Sequence, residues 1–237
     1  MSAALADTPK LVADEFTLLS HMLPLAGARV LDLGCGKAEM SWRMVDEGSA
    51  VLVVAVEADG IQHEANLSSA PVAGLCFERG GAEAIAHPDD SFDLVTMFKS
   101  LHHVPVALMD RALAEICRVL RPGGELYVSE PVFAGELNEV IRLFHDEEEV
   151  RAAAIAAMQR AVTAGLFVQV EERHFAAPVV FRDFADFEAR MMHVTHSQFD
   201  LDAARVDRVR RRFMRSAGPD GARFERPMRI NRLRRAG

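Results

Sequence analysis

The chain has 237 residues, half of them apolar and 26% charged, which suits one large α/β domain with a substantial core and contains no apolar run of the roughly 20 residues a bilayer span needs. Net charge is −8, but from Arg205 to Arg235 twelve arginines stand against Asp207, Asp220 and Glu225. The remainder is therefore strongly acidic, which disfavours a broad nucleic-acid surface, and the basic tail reads as a solvated helix face plus an edge strand. The opening MSAALADTPKLVADEF has no signal-peptide apolar region, so no membrane association and a cytoplasmic location are expected. Cys35, Cys76 and Cys117 form no CxxC pair and read as reduced thiols.

Strands and helices alternate along the chain, the pattern of a parallel sheet covered on both faces. An amphipathic helix is expected from about Lys10 to Leu23, stopped by Pro24. ARVLDLG (28–34) reads as a buried strand, and KAEMSWRMVDEG as a helix ending at Gly48. The β-branched run VLVVAV (51–56) reads as a central parallel strand. A helix from about Gly60, the strand GLCFER, the strand SFDLVTMF (91–98), the helix VALMDRALAEICRVL and the strand ELYVSE (125–130) follow. Residues 136–164 have helical spacing throughout, with Gly165 as the stop. LFVQVEERHF reads as a strand, 184–192 and 203–214 as helices, and PMRINRLRR as a closing strand.

The turn Asp32-Leu33-Gly34-Cys35-Gly36 joins the first of these strands to a helix. Its glycines let backbone approach a ligand closely, and the helix N-terminus favours an anionic group there. The next strand ends at Glu57, where an acid in nucleotide-binding sheets takes the two ribose hydroxyls. A dinucleotide fingerprint would place a third glycine at position 39. That position is Glu39, which disfavours a nicotinamide or flavin dehydrogenase.

From Val30 to Pro131 the sequence resembles the class I S-adenosylmethionine-dependent methyltransferases. VLDLGCG, VAVEAD, GGAEAIAHPDDSFDLV, SLHHV and RVLRPGGELYVSEP resemble that family's successive motifs. The resemblance implies a Rossmann-like seven-stranded α/β sheet, mostly parallel with an antiparallel last strand, helices on both faces and a helical cap. It implies S-adenosylmethionine as cofactor. Asp32, Gly34, Cys35 and Gly36 would hold its methionine part, Glu57 its ribose, and Ala58, Ala82 and Glu83 would lie along the adenine. Phe98 and Lys99 would stand near the methionine end. Two positions depart from the family pattern: Ala38 stands where a further glycine is usual, and Gly81 replaces an acid that would meet the adenine amino group.

Methyl transfer from a sulfonium needs in-line placement above all, with a base when the acceptor carries a proton. His102 and His103 are the candidate catalytic residues, because they follow the fourth strand at the ligand-binding edge and titrate near neutrality. The rival reading packs one under the cofactor and leaves the other in solvent. Glu130, ending the fifth strand, is a third candidate, either bonded to the acceptor or paired with an arginine. His145-Asp146 with His193 and His196 could ligate a metal by spacing, but scattered histidines are more often structural, and no metal is expected. Met97, Phe98, Met191 and Met192 read as core rather than pocket.

The expected whole is a single domain over 1–237, with 1–26 as a helical cover and substrate-recognition inserts in 132–223. Its expected activity is methyl transfer from S-adenosylmethionine to a small-molecule acceptor. Three alternatives stay open: an RNA or protein methyltransferase using the arginine-rich C-terminus, a cofactor-binding module without turnover, and transfer of another substituent.

Overall fold

The computed structural model describes residues 10–193 and 199–237. One sheet organises the chain. Its strands are β1 (Lys10–Leu11), β2 (Arg29–Leu33), β3 (Leu52–Glu57), β4 (Leu75–Arg79), β5 (Phe92–Phe98), β6 (Leu120–Pro131), β7 (Phe167–Phe181), β8 (Ala217–Gly218) and β9 (Gly221–Arg235). The spatial order is β1-β7-β9-β6-β5-β2-β3-β4, with β8 paired to β9. Seven long strands carry the expected architecture, and two two-residue strands extend it. β9 runs antiparallel to both β6 and β7, while the other long strands pair in parallel.

The helices are α1 (Glu15–Met22), α2 (Glu39–Asp46), α3 (Gly60–Leu67), α4 (Met109–Val119), α5 (Glu136–Ile141), α6 (Glu148–Thr163), α7 (Phe184–Met191) and α8 (Ala203–Phe213). Because β2 and β3 are covered on both faces, alternate residues of each enter different cores. Val30, Val53 and Ala55 pack with Phe16, Leu19 and Met44 of α1 and α2. Leu31, Leu33, Val54 and Val56 pack with Leu113 and Ile116 of α4 and Ala157 and Met158 of α6. A third core is separate and rich in phenylalanine: Phe181, Phe184, Phe187, Phe213 and Phe224 join Leu137 and Val140. This cap core rests on the far ends of β7 and β9, whose pairing runs on to Phe181 opposite Ala222.

Three expectations change. Residues 10 and 11 form a strand against Phe175 and Ala176 of β7, and the first helix begins only at Glu15. Asp14 sets that start by accepting the Phe16 amide at 3.0 Å, the capping role short acids perform best. The continuous helix expected over 136–164 is two helices, because residues 142–147 break between α5 and α6. The closing strand is an interior strand and not an edge. Within 132–223, α6 covers the sheet and β7 belongs to it.

The order reverses between β2 and β5, where the strands to either side run outward in opposite directions. Their carboxyl ends open a crevice there, the place where α/β sheets bind ligands.

Candidate active site

The turn after β2 is built from beneath. Asp32 is buried, and its two oxygens accept Ser41 Oγ at 2.5 Å and Thr96 Oγ1 at 2.8 Å. It thereby ties β2 to α2 and β5. Burial pushes its carboxyl up to about 6, against the lowering effect of the two hydroxyls. Asp32 braces the turn from below through these two bonds.

Gly34 and Gly36 adopt φ of 70° and 53°, which glycine reaches without strain. A Cβ on Gly34 would lie 2.5 Å from Ser100 Cβ, whereas a Cβ on Gly36 would meet nothing within 4 Å. One glycine is needed for close packing, and the other faces open space that a ligand can fill. Ala38 is also left-handed, at φ 57°, which explains why glycine is usual there. Asn66 of α3 donates to Gly36 O at 2.8 Å and secures the turn from the side. The Cys35 thiol is held in its neutral form by burial and by the nearby Asp32 and Glu57 charges, so it is a poor nucleophile.

Glu57 ends β3 and reaches back to the turn. Its oxygens accept Gly36 N and Asp59 N, each at 2.8 Å. An ionised carboxylate accepts about four hydrogen bonds, so capacity for two hydroxyls remains. Ala58 is exposed beside it and Ala82 is buried. A Cβ on Gly81 would lie 2.4 Å from one Glu83 carboxylate oxygen and 2.6 Å from the other. The Glu83 carboxylate therefore fills the space where the side chain missing at position 81 would start.

The segment after β5 crosses from the turn to a cavity. Lys99 is left-handed, at φ 55°, and its Nζ lies 3.4 Å from Glu15 of α1. Ser100 Oγ donates to Leu33 O at 2.7 Å. The turn Leu101–His103 then places His102 inside and His103 outside. Phe98 packs on Tyr127 with ring centroids 5.4 Å apart. A cavity of about 240 Å3 lies beyond, bordered by Lys99, His102, His103, Leu137 and Met191 among others. Met191 thus lines a pocket, while Met97 and Met192 are core as expected.

His102 is fixed between two carboxylates. Its Nδ1 donates to Glu130 Oε2, and its Nε2 lies 3.4 Å from Glu147 Oε1. Glu130 Oε1 also accepts the Leu101 amide at 2.9 Å. Burial opposes the charged imidazole, but the two carboxylates prevail and push its pKa up to about 9. His102 is therefore cationic at neutral pH with both nitrogens engaged, and the expectation of a free base at its titration midpoint is corrected. The protein partner of Glu130 is His102 rather than an arginine.

Glu147 was missed by sequence reading. It is buried, accepts Arg151 Nη2 at 2.5 Å, and lies 2.8 Å from His145 Nε2. Burial raises its pKa, but His102, His145 and Arg151 outweigh that and hold it well below the usual carboxylate range. Asp146 turns away to cap Glu148 N at 3.1 Å, so the pair expected to act together separates. Ligand atoms of His102, His103 and Glu147 lie within 4.8 Å of one another. Glu147 is already engaged by His102, His145 and Arg151 there. His193 is exposed, and His196 lies outside the described residues.

Residues 30–124 match the family model described as a methyltransferase domain. This segment is similar to class I S-adenosylmethionine-dependent methyltransferases. The chain is 37% identical over 136 residues to 27-O-demethylrifamycin SV methyltransferase of Amycolatopsis mediterranei, covering 54% of this chain and 47% of that protein. It is 34% identical over 126 residues to the ubiquinone/menaquinone biosynthesis C-methyltransferase UbiE of Hahella chejuensis, covering 51% and 49%. The chain thus matches about half the length of these relatives. The fold resembles the YcgJ protein of Bacillus subtilis, with TM-score 0.67, 17% identity and coverage of 94% and 98%. The match to the methyltransferase domain stops before α5, so the cavity-lining residues from α5 onward fall outside it.

The methyltransferase domain's open Gly36, the spare acceptors of Glu57 and the Glu83 carboxylate fit the cofactor that its family implies. Ser41, Asn66, Thr96 and Ser100 support the turn but carry no motif of their own; small polar residues facing a buried acid or a glycine are visible only once the elements are assembled. No helix among the described residues is long and apolar enough to cross a membrane.

Proposed function

We propose that this chain transfers the methyl group of S-adenosylmethionine to a small molecule held in the cavity beside His102. One observation carries the reading: a single segment serves both places. Ser100 packs on Gly34 and bonds Leu33, and Lys99, His102 and His103 on either side of it line the cavity. A ligand at the glycine turn and one in the cavity would meet across that segment, which is the proximity methyl transfer requires.

When bound, the cofactor supplies an electrophilic methyl carbon. Gly34, Cys35 and Gly36 hold its methionine part through backbone, on a turn braced by Asp32. Glu57 accepts from the ribose. Ala58 and Ala82 flank the adenine, and Glu83 takes the role of the acid absent at position 81. Phe98 and Lys99 border the methionine end. The Glu130–His102–Glu147 chain fixes a positive charge at the cavity wall and holds Leu101–His103 in place. His103, the exposed member, is the histidine placed to take a proton from an acceptor. The elements of 132–223 that line the cavity recognise the acceptor, within a single domain acting in the cytoplasm.

The tail charge gives little support to a polymer substrate. Arg232 and Arg234 are bonded to Glu125 of β6, Arg235 to Asp90 and Arg212 to Glu136. The test has two parts. Calorimetry should detect S-adenosylhomocysteine binding, and incubation with methyl-labelled S-adenosylmethionine and a small-molecule extract should yield a labelled small product. Absence of cofactor binding, or label only in RNA or protein, would overturn the reading.

A further inference from the structure

Arg226 lines the cavity from β9. Because β9 runs backward between β6 and β7, its early residues reach the carboxyl edge of the parallel strands. Pro131, the last residue of β6, pairs with Met228, and Arg226 pairs with Ala177 two residues further out. An arginine from the basic tail is thereby delivered to the same edge as Lys99 and His102.

The other basic side chains at the cavity are engaged. Lys99 meets Glu15, and His102 and His145 meet Glu147. Arg151 donates to Glu147 and to Asn138 Oδ1. Arg190 donates to Val180 O at 2.8 Å and to Asp186. The Arg226 side chain has no hydrogen bond, ion pair or ring contact among the described residues. Burial and the nearby Arg151 and Arg190 charges push its pKa down to about 10, against the opposing pull of the Glu147 and Glu15 carboxylates. A half-buried guanidinium facing two others, without an acceptor, is unfavourable in the protein alone.

Arg151 Nε and Asn138 Nδ2 are buried and lack acceptors, and both residues line this cavity. The one carboxylate in its wall, Glu147, is already shared among His102, His145 and Arg151. No residue of the glycine turn borders the cavity, so these donors belong to its acceptor end.

We propose that Arg226, with Arg151 and Asn138, is the recognition site for an anionic group, a carboxylate or a phosphate, on the methyl acceptor. The inference rests on the methyltransferase reading for the identity of that ligand as acceptor. The planar guanidinium suits both groups, since each presents two oxygens to its paired N–H donors. The cavity has room for a small molecule.

The test uses the full chain, with and without saturating S-adenosylhomocysteine, titrated with benzoate, phenyl phosphate and neutral benzamide. At least one anion should bind about tenfold more tightly than benzamide, the size expected of hydrogen bonds to a charged group. The better anion identifies carboxylate or phosphate. Arg226→Met should abolish the preference, Arg226→Lys should keep part of it, and neither should change S-adenosylhomocysteine affinity. The melting temperature of R226M should hold or rise, because an unpaired cation is removed. Equal binding of benzamide and both anions, anion preference surviving R226M, or a lower melting temperature in R226M would each overturn the proposal. So would weakened cofactor binding, which would assign Arg226 to the cofactor. Failure of the wild type to bind S-adenosylhomocysteine would overturn the methyltransferase reading, while anion preference is still measured in the cofactor-free chain.

Discussion

Glu147 joins His102 to Arg151: its Oε1 lies 3.4 Å from the imidazole Nε2 and its Oε2 lies 2.5 Å from the guanidinium Nη2. With Glu130 on the other side of the imidazole, this makes a buried chain of alternating charge from the end of β6 to the first turn of α6. The loop Leu101–His103 is held at its centre. Each carboxylate in the chain depends on a cation for its burial.

The pH dependence of stability follows. The folded pKa of His102, about 9, lies above its ordinary 6.5, so folding is favoured by its protonation. That contribution is complete below about pH 6.5 and is lost as pH rises to about 9. Urea midpoints measured from pH 6 to 10 should fall across that window in the wild type. In His102→Gln the fall should shrink. The variant should also be less stable at pH 7 by about 3 kcal/mol, since two buried carboxylates lose a partner. A flat difference between the two proteins across that range would contradict a protonated His102.

Asp32, although an acid, follows the same direction as His102 in a lower pH window. Its folded pKa, about 6, lies above the ordinary 3.8, so the neutral form favours folding. That contribution is complete below about pH 3.8 and is lost as pH rises through about 6. Asp32→Asn removes this titration and keeps an acceptor for one of Ser41 and Thr96. Asp32→Ala leaves two hydroxyls without their partner and should cost about 2 kcal/mol. Chemical denaturation at pH 7 should rank Ala well below Asn.

Glu57 serves the protein before it serves a ligand. Glu57→Ala removes the acceptor of two backbone amides along with the expected ribose contact. Calorimetry with S-adenosylhomocysteine should show affinity reduced by about tenfold to a hundredfold, the range for hydrogen bonds to a charged group. Glu57→Gln, which keeps one acceptor oxygen, should fall between. Unchanged affinity in the alanine variant would remove Glu57 from the site.

Gly81 and Glu83 make a pair for a double-mutant cycle. Glu83→Ala should weaken cofactor binding by about tenfold if its carboxylate meets the adenine amino group. Gly81→Asp alone should gain nothing, because its Cβ meets the Glu83 carboxylate at 2.4 Å and two like charges would share one place. Gly81→Asp in the Glu83→Ala background should recover much of the loss. Such coupling between neighbours is what a cycle isolates, and strict additivity of the two changes would exclude an exchange of roles.

The order of strands and helices, the glycine turn and Glu57 were legible in the sequence, because each is a local signal. Period-two and period-3.6 patterns, a C-terminal glycine and an acid at a strand end depend on neighbours a few residues away. The first helix was drawn too long because Lys10 to Val12 fit an amphipathic pattern. Their strand pairing comes from residues 175 and 176, which local periodicity does not contain. The break at 142–147 was hidden because the apolar spacing of α5 and α6 stays in phase across it.

The sequence by itself thus determined the fold class and the glycine turn, since backbone geometry at glycines and burial along strands are written into short stretches. Tertiary structure alone decided the cavity beside it. His102 is charged because Glu130 and Glu147, 28 and 45 positions away in the chain, converge on it. Arg226 belongs to the cavity because β9 returns between β6 and β7. A histidine's protonation and an arginine's lack of a partner are set by what surrounds them in space, and that spacing does not repeat along the chain.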